Sequence, residues 1–389
     1  MMDAGALQAA RTTLRATATV VTHRDGHRTL ERDGEAVEAL PPLDVLPPAL
    51  RPEPKRLCIE PPSMPTWELP SFEGWTLPPI GEDLSLVTWN VWFAPQEADA
   101  RMAALFSEAL AAAPDVLLLQ EVVPDLAASV RASAALCAAY AVSPNPIDED
   151  AYGCLLLARH ALKPSFREVD FPSRMGRSLV LAELTPPGAA APLAVATVHL
   201  ESLDSAPTRA KQLRVAYDAL GGYEAAALAG DFNFDATRNF GEWRELPPQP
   251  SRPTRDADSD DDDDAPPYAG PVKQSSGAPL ENAVLAERLP GYVDAWPAVR
   301  GVADLGHTFD GATNPHVRDA DECMRYDRVM LRNLRPRSVR LLGVRRAAAA
   351  EGEAAAAGTS GGEAGVAAEG GGGLVPSDHY GVHAVIAWP

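Results

Sequence analysis

Short apolar runs along this chain end, or begin, at residues that bind metals or transfer protons. Five places follow this pattern, and the polar residues at them are Asn90, Glu121, His199, Asp231 with Asn233, and Asp378 with His379. Apolar runs of this length are typical of buried strands. The pattern therefore predicts that these polar side chains lie at the ends of strands, along one edge of a sheet, and that they meet in one hydrolytic site.

The apolar runs predict many strands and few helices. Strands are expected at nine places, namely 84–88, 116–119, 153–158, 179–184, 193–198, 225–229, 326–331, 338–344 and 382–388. Apolar residues recur with helical spacing in 99–112, and 206–220 begins with a proline near a helix start. So many short strands with few helices between them favour two packed sheets over a single parallel one.

Composition divides the chain into segments. Residues 1–40 are a small N-terminal segment, either a hairpin around Asp25-Gly26 or a transit-like peptide with basic residues and no acids over 4–24. Residues 41–82 are rich in proline and read as a linker, and 83–389 form the main domain. Low-complexity inserts at 246–280 and 347–373 contain too few apolar residues to form a packed core, and they are expected to project from the surface of the domain.

Charge and cysteine content exclude several classes of protein. The formal net charge is −20, which argues against a broad basic surface for duplex DNA. Seven aspartates between positions 256 and 264 are interpreted as a solvated loop. The four cysteines are widely spread and form no Cys-x-x-Cys pair, which argues against a disulfide framework or a zinc site and favours a reducing compartment. No apolar run reaches transmembrane length. The prediction is a monomer in the nucleus or cytoplasm, with organelle targeting left open.

The polar residues at the strand ends have structural as well as catalytic interpretations. Glu121 could be an ordinary paired carboxylate at a strand edge, and Asp231 with Asn233 could belong to a turn. A lone histidine beside a strand is usually structural, but His199 and His379 occur together with several acids. Hard oxygen ligands with few soft ones favour Mg²⁺, or alternatively Mn²⁺, over zinc.

Five short motifs occur in a fixed order along the chain: Thr88-Trp89-Asn90, Leu119-Gln120-Glu121-Val122, His199-Leu200-Glu201-Ser202, Gly230-Asp231-Phe232-Asn233 and Ser377-Asp378-His379. In this order they resemble the motifs of the endonuclease/exonuclease/phosphatase superfamily over about residues 84–388. Further stretches are similar to its tyrosyl-DNA phosphodiesterase 2 family, namely 171–173, 325–328, 336–338, 341–343 and 376–381. Phe309 stands between Thr308 and Asp310, where that family typically has tryptophan.

The resemblance implies an α/β four-layer sandwich of two packed mixed β-sheets flanked by helices, which hydrolyses a phosphodiester with magnesium. It implies a metal site at Glu121, with Asn90 holding the phosphate or its metal-bound water and Asp378 supporting the metal or shaping the turn. It also implies catalytic roles for five residues: Asp231 as the base for water, Asn233 as its support, His379 as the stabiliser of transition-state charge, Asp327 as the partner of His379, and His199 as a phosphate contact.

The resemblance further implies DNA ends or single-stranded DNA as partners, and 5′-phosphotyrosyl bonds as the target in DNA repair. Residues expected to contact substrate are Arg174, Arg177, Phe309 and Arg325. Arg209 is interpreted as ordinary surface charge. Two alternatives stay open. One is another phosphodiesterase of the superfamily, acting on abasic DNA, RNA tails, sphingomyelin or inositol phosphates. The other is a non-catalytic scaffold that binds partners through the acidic insert and the proline-rich segment.

Overall fold

The computed structural model describes residues 69, 72, 75–148, 151–245, 279–344 and 374–388, together with three strands between 19 and 40. These strands, β1 (Thr19–Thr22), β2 (Arg28–Arg32) and β3 (Glu35–Leu40), form an antiparallel sheet. Most of the predicted linker and of the inserts at 246–280 and 347–373 lies outside the described residues. No helix in the described part of the chain has the length and apolar character needed to cross a membrane.

Two six-stranded sheets form the body of the domain. The first contains, in spatial order, β16 (Arg335–Leu342), β17 (Gly381–Ala387), β4 (Asp83–Asn90), β5 (Val116–Val122), β7 (Gly153–Arg159) and β6 (Tyr140–Val142). The second contains β12 (Val293–Asp294), β15 (Asp327–Arg332), β11 (Ala226–Asp231), β10 (Leu193–His199), β9 (Ser178–Leu184) and β8 (Ser165–Asp170). Both sheets are mixed, because β4 runs parallel to β5 and β10 runs parallel to β11, whereas their other pairs are antiparallel.

Successive side chains of the central strands enter different cores, which explains why these strands are apolar throughout. In β5, Val116 and Leu118 face the core between the two sheets, whereas Leu117 and Leu119 face an outer core. Because side chains alternate across a strand, a strand buried on both faces needs apolar residues at every position.

Helices cover the outer face of each sheet. Those packed on the first sheet are α1 (Ala98–Ala111), α2 (Pro124–Ala132) and α3 (Ala134–Ala139), and those on the second are α4 (Ala206–Leu220) and α5 (Val284–Arg288). Helix α6 (Ala295–Arg300) contributes to the core between the sheets. The remaining elements are short: β13 (Phe309–Asp310) pairs with β14 (Cys323–Met324), and 3₁₀ turns occur at His160–Leu162, Glu242–Glu245 and Glu281–Ala283. The predicted four-layer α/β sandwich is confirmed.

The domain begins before the predicted boundary at residue 83. Trp75 packs on the outer core, its indole ring lies 6.1 Å from the Tyr140 ring, and its Nε1 donates a hydrogen bond to the Leu110 carbonyl at 3.3 Å. Leu69 and Phe72 pack on the same core. The apolar side chains between the prolines therefore extend the domain into the segment interpreted as a linker.

Gly230, the residue before Asp231, is required by the close pairing of β10 and β11. Its φ is +136°, and a Cβ atom there would lie 2.0 Å from the Val198 carbonyl oxygen. We expect Gly230→Ala to destabilise the fold by more than about 3 kcal/mol, because the strain and the clash both fall on central strands.

Thermal or urea unfolding followed by circular dichroism measures this effect. Gly222→Ala is the matched control, since a Cβ atom at Gly222 meets no atom within 4 Å. A Gly230→Ala protein as stable as the control would contradict the account.

Candidate active site

The polar residues singled out in the sequence meet at one end of the two sheets. Asn90, His199 and Asp231 are the last residues of β4, β10 and β11, and Asp327 is the first of β15. The sheet registers place Asp231 beside both His199 and Asp327. Parallel strands end at the same edge, and β15 runs antiparallel to β11, so its first residue reaches that edge too.

Glu121 is placed by an irregularity of the backbone. Its φ is +58°, and the pairing of β5 with β7 is interrupted between Leu119 and Val122. A bulge of this kind turns a side chain away from its expected direction. The Glu121 carboxylate accepts hydrogen bonds from the Asn90 amide at 3.1 Å and from the Phe93 backbone N–H at 3.2 Å.

Asn90 bridges the two carboxylates of the site. Its Nδ2 donates to Glu121 Oε1 at 3.1 Å and to Asp231 Oδ2 at 3.0 Å, while its Oδ1 accepts from the Trp92 backbone N–H at 3.0 Å. The backbone N–H can only donate, so it fixes the amide with its nitrogen toward the acids. In this orientation Asn90 offers hydrogen-bond donors to the site, and not the oxygen expected of a metal ligand.

Asp231 is almost fully buried and ionised. Its Oδ1 accepts from the Asn233 backbone N–H at 2.8 Å. Although burial favours the neutral acid, the positive charge on His379, the proximity of His199 and the two hydrogen bonds together lower the pKa of Asp231 below its usual value. Asn233 itself adopts a φ of +55° and donates through Nδ2 to the Leu200 carbonyl at 2.9 Å, so its side chain fastens the turn after β11.

His199 is held neutral with its proton toward the acids. Arg177 Nη1 donates to His199 Nδ1 at 3.0 Å, and because a guanidinium cannot accept, the ring proton must reside on Nε2. Burial and the Arg177 charge lower the pKa of His199 to about 3. The Nε2–H group lies 3.6 Å from Asp231 Oδ2 and 3.8 Å from Glu121 Oε1.

His379 is the cationic counterpart of His199. Its Nδ1 lies 2.8 Å from Asp327 Oδ2, and its Nε2 lies 3.8 Å from Asp231 Oδ2. Burial opposes the charged imidazolium, but the Asp327 carboxylate and the hydrogen bond to it, together with Asp231 and Asp378, raise the pKa of His379 well above its usual range. The Asp327 carboxylate thus lies where it can orient the His379 ring and stabilise its charge.

The predicted substrate residues fall into different environments. Arg174 is exposed, and the Phe309 ring lies 5.0 Å from the His379 ring. Arg177 is buried beside His199 and lies over the Tyr152 ring at 4.9 Å. Arg325 departs from the prediction, because its Nη1 forms a 2.7 Å ion pair with Asp294 and its side chain is buried.

Arg209 also departs from its interpretation as surface charge. It is fully buried, pairs with Glu281 at 2.7 Å, and donates to the Glu201 and Leu203 carbonyls. Its role is to hold the chain after β10 in place. A partner 72 positions away in the sequence carries no local signal that could reveal this pairing.

The sequence predicted no role for two residues near the site, Glu201 and Tyr152. Glu201, within the His-Leu-Glu-Ser motif, accepts from the Ser173 hydroxyl at 2.6 Å and from the Arg174 backbone N–H at 3.0 Å, so it anchors the loop that carries both arginines. Tyr152 accepts from Arg177 at 3.1 Å and stacks on Phe93, which is 47% exposed, with the ring centroids 4.8 Å apart. The motif pointed to Glu201, whereas Tyr152 lies in no recognised pattern.

The acids of the site fit a hard divalent cation. Burial raises the pKa of Glu121, and burial together with the neighbouring Glu121 carboxylate raises the pKa of Asp378 to about 7, against the opposing effect of His379. Partly buried carboxylates whose charges repel one another become stable as anions when a cation lies between them. All of the donor atoms concerned are oxygens, which suits Mg²⁺ or Mn²⁺. Glu121 and Asp378 are the residues that would hold the ion, beside Asp231.

Comparison with known families agrees with this arrangement. A model of the family described as "Endonuclease/Exonuclease/phosphatase family" matches residues 87–379, a range that spans every residue of the site. None of the curated proteins matches the chain.

Solved structures share the fold. A D. rerio TDP2 humanized by 14 mutations is 21% identical, with a TM-score of 0.52 over 79% of this chain and 99% of that chain. D. rerio TDP2 complexed with a single-strand DNA product is 21% identical, with a TM-score of 0.51 over 78% and 98%. A truncated Caenorhabditis elegans TDP2 is 19% identical, with a TM-score of 0.51 over 78% and 97%.

Proposed function

The chain belongs to the endonuclease/exonuclease/phosphatase family, and we propose that it is a magnesium-dependent phosphodiesterase that hydrolyses 5′-phosphotyrosyl bonds at DNA ends. Members of this family hydrolyse phosphodiester bonds. The finer assignment, to tyrosyl-linked DNA, is supported by the residues around the site and by the structural similarity to TDP2 proteins.

One observation carries the proposal: three N–H donors from three strands or loops converge on one ionised carboxylate oxygen. Asn90 Nδ2, His199 Nε2 and His379 Nε2 lie 3.0, 3.6 and 3.8 Å from Asp231 Oδ2. The two imidazole distances exceed a normal hydrogen bond. A tetrahedral phosphate placed among these donors would receive their hydrogen bonds, while Asp231 could accept a proton from an attacking water.

The residues divide the chemistry between them. Asp231, ionised and held by Asn90 and Asn233, orients the water and takes its proton. The imidazolium of His379 and the neutral N–H of His199 stabilise the negative charge that grows on the phosphoryl oxygens. A Mg²⁺ ion held by Glu121 and Asp378 would supply further charge neutralisation. Preorganised donors aimed at developing charge are worth about 10²–10³ in rate each.

The environment of Arg177 favours an aromatic leaving group. Its guanidinium lies over the Tyr152 ring, and Tyr152 in turn stacks on the exposed Phe93. The exposed side chain of Met175 also lies close by, since its sulfur is 3.8 Å from Arg177 Nη2. A cation set among aromatic and apolar groups suits a tyrosyl side chain, which combines an aromatic face with a phenolic oxygen.

The nucleic-acid partner is proposed to be a single strand. The D. rerio neighbour is complexed with a single-strand DNA product. The net charge of −20 on this chain opposes wide electrostatic contact with a duplex, whereas a single DNA end needs few cationic contacts. Arg174, which is exposed on the loop that Glu201 anchors, is proposed to contact a strand that leaves the site.

A panel of substrates tests the proposal. Release of product is measured from a 5′-phosphotyrosyl oligonucleotide, an abasic duplex, poly(A) RNA and sphingomyelin, each with Mg²⁺ and with a chelator. We expect the first substrate to be preferred. Preference for another substrate would reject the tyrosyl specificity but keep the family activity, and the absence of turnover on all four would favour the non-catalytic alternative.

Removal of the metal has its own expected result. Chelation should lower turnover by at least about 10²-fold, because the buried acids then oppose binding of an anionic diester. Added Mg²⁺ or Mn²⁺ should restore it, whereas Ca²⁺, with its longer and looser coordination, should restore less. Full activity in chelator would contradict the magnesium assignment.

A further inference from the structure

A second group of side chains that could bind a metal lies around the short sheet formed by β13 and β14. It consists of His307, Asp310 and Cys323, all half-buried. One ligand atom from each residue lies within 4.8 Å of the others, and Cys323 Sγ lies 3.1 Å from Asp310 Oδ1. None of these three side chains has a role in the candidate active site.

The backbone holds the three residues in place. Asp310 and Cys323 are direct cross-strand partners in the pairing of β13 with β14. Thr308, which follows His307, donates its N–H to the Met324 carbonyl at 2.9 Å and so extends the same pairing. Asp310 is further fixed by the Thr313 hydroxyl at 2.7 Å. The donor atoms are therefore close because of the sheet register, and not because of flexible surface side chains.

The donor set has the chemistry of a transition-metal site. A thiol, an imidazole and a carboxylate together suit Zn²⁺ and similar ions, whereas Mg²⁺ avoids sulfur and nitrogen. Bond lengths of about 2.0–2.3 Å in a tetrahedral arrangement place ligand atoms roughly 3.3–3.8 Å apart. The three ligand atoms lie within 4.8 Å of one another, so binding of the ion would require small side-chain rotations that bring them about 1 Å closer.

The His307 ring has the freedom that such a ligand needs. In the described part of the chain, no hydrogen bond engages either ring nitrogen of His307. Burial lowers the pKa of His307, against the effect of Asp235 and Asp310, so the ring is neutral and can offer a lone pair at neutral pH. Arg238 and Arg325 face the same ring, and their charges are offset by those of the two aspartates.

We propose that His307, Asp310 and Cys323 bind one Zn²⁺ ion, or a transition metal of similar softness, with a fourth position open to water. The Cys323 thiol, which donates to Asp310, would lose its proton to solvent as the sulfur–metal bond forms. The ion would tie together the two ends of the 311–322 loop and fix Phe309 against His379. Binding of this ion requires neither the proposed magnesium site nor the proposed activity.

Cobalt substitution tests the site directly. Titration of the apo-protein with Co²⁺ should produce a near-ultraviolet thiolate-to-cobalt charge-transfer band at one ion per chain, and excess Mg²⁺ should leave it unchanged. Chelator competition should show Zn²⁺ binding weakened by at least about 10²-fold in Cys323→Ser and in His307→Gln. Zinc should also raise the Tm of the wild-type protein, but not of these variants.

Two variants serve as controls. Cys137→Ser removes another half-buried free thiol and should keep the band, and Glu121→Gln, which alters the candidate active site, should keep it too. The absence of the band in the wild-type protein, its survival in Cys323→Ser, or its loss in Cys137→Ser would each overturn the proposal. Circular dichroism of each variant establishes that a lost signal comes from a folded protein.

Discussion

Replacing Asp231 with asparagine is expected to lower kcat by about 10³-fold, within the range of 10²–10⁴ that general-base catalysis contributes. The substitution keeps the shape of the side chain but removes the charge that accepts a proton from water. It also removes the anion around which the N–H groups of Asn90, His199 and His379 are arranged. The loss should therefore appear in kcat for every substrate that the protein cleaves.

The fold should survive this substitution. Asp231 Oδ1 accepts from the Asn233 backbone N–H, and an asparagine oxygen can accept the same bond. The NH₂ group of the new amide would then face the Asn90 NH₂ group, and this meeting of two donors costs about 1–3 kcal/mol. Part of the cost is offset because the repulsion between the Asp231 and Glu121 carboxylates is lost. Initial rates and thermal unfolding of the same preparation separate the two effects.

Asp218→Asn is the matched control for this prediction. Asp218 is an exposed carboxylate on α4 that pairs with a neighbouring helical residue, Arg214, at 3.0 Å. Its substitution should leave kcat unchanged. A folded Asp231→Asn protein that retains near-normal turnover would remove Asp231 from the chemistry.

The fold was predictable because its central strands are buried on both faces. Each of the nine predicted strands overlaps an observed one, and the predicted helices at 99–112 and 206–220 correspond to α1 and α4. Strand β8 was missed, since it lies at a sheet edge and its side chains are mostly exposed. An edge strand buries too little apolar surface to give a continuous hydrophobic run.

The site was predictable in its membership but less so in its geometry. The ordered motifs identified Asp231, His199 and His379, because motif residues stand next to strands whose ends meet. The orientation of Asn90 depends on the Trp92 backbone N–H, and the neutralisation of Arg325 depends on Asp294. Such contacts are formed only in the folded chain, so the sequence could not distinguish a ligand from a donor, or a free arginine from a paired one.

His379→Ala is the second substitution with a large expected effect, a loss of about 10²–10³-fold in kcat. Two histidines present an N–H group to Asp231 Oδ2, and His379, at 3.8 Å, is the one that carries a positive charge. Without it, stabilisation of the negative charge on the phosphoryl oxygens would depend on His199 and the metal. Initial rates with the 5′-phosphotyrosyl oligonucleotide measure the loss.

Asp327→Asn tests the charge on the His379 ring while the ring itself stays in the protein. Asparagine can still accept from His379 Nδ1 but no longer stabilises the imidazolium, so Asp327 acts as a positioning residue whose loss should cost roughly 10²-fold in kcat. If Asp327 works only through His379, a protein that carries both Asp327→Asn and His379→Ala should have the same kcat as His379→Ala alone, within about threefold. Losses that multiply in the double variant would show that Asp327 contributes independently, and would break the proposed link between the two side chains.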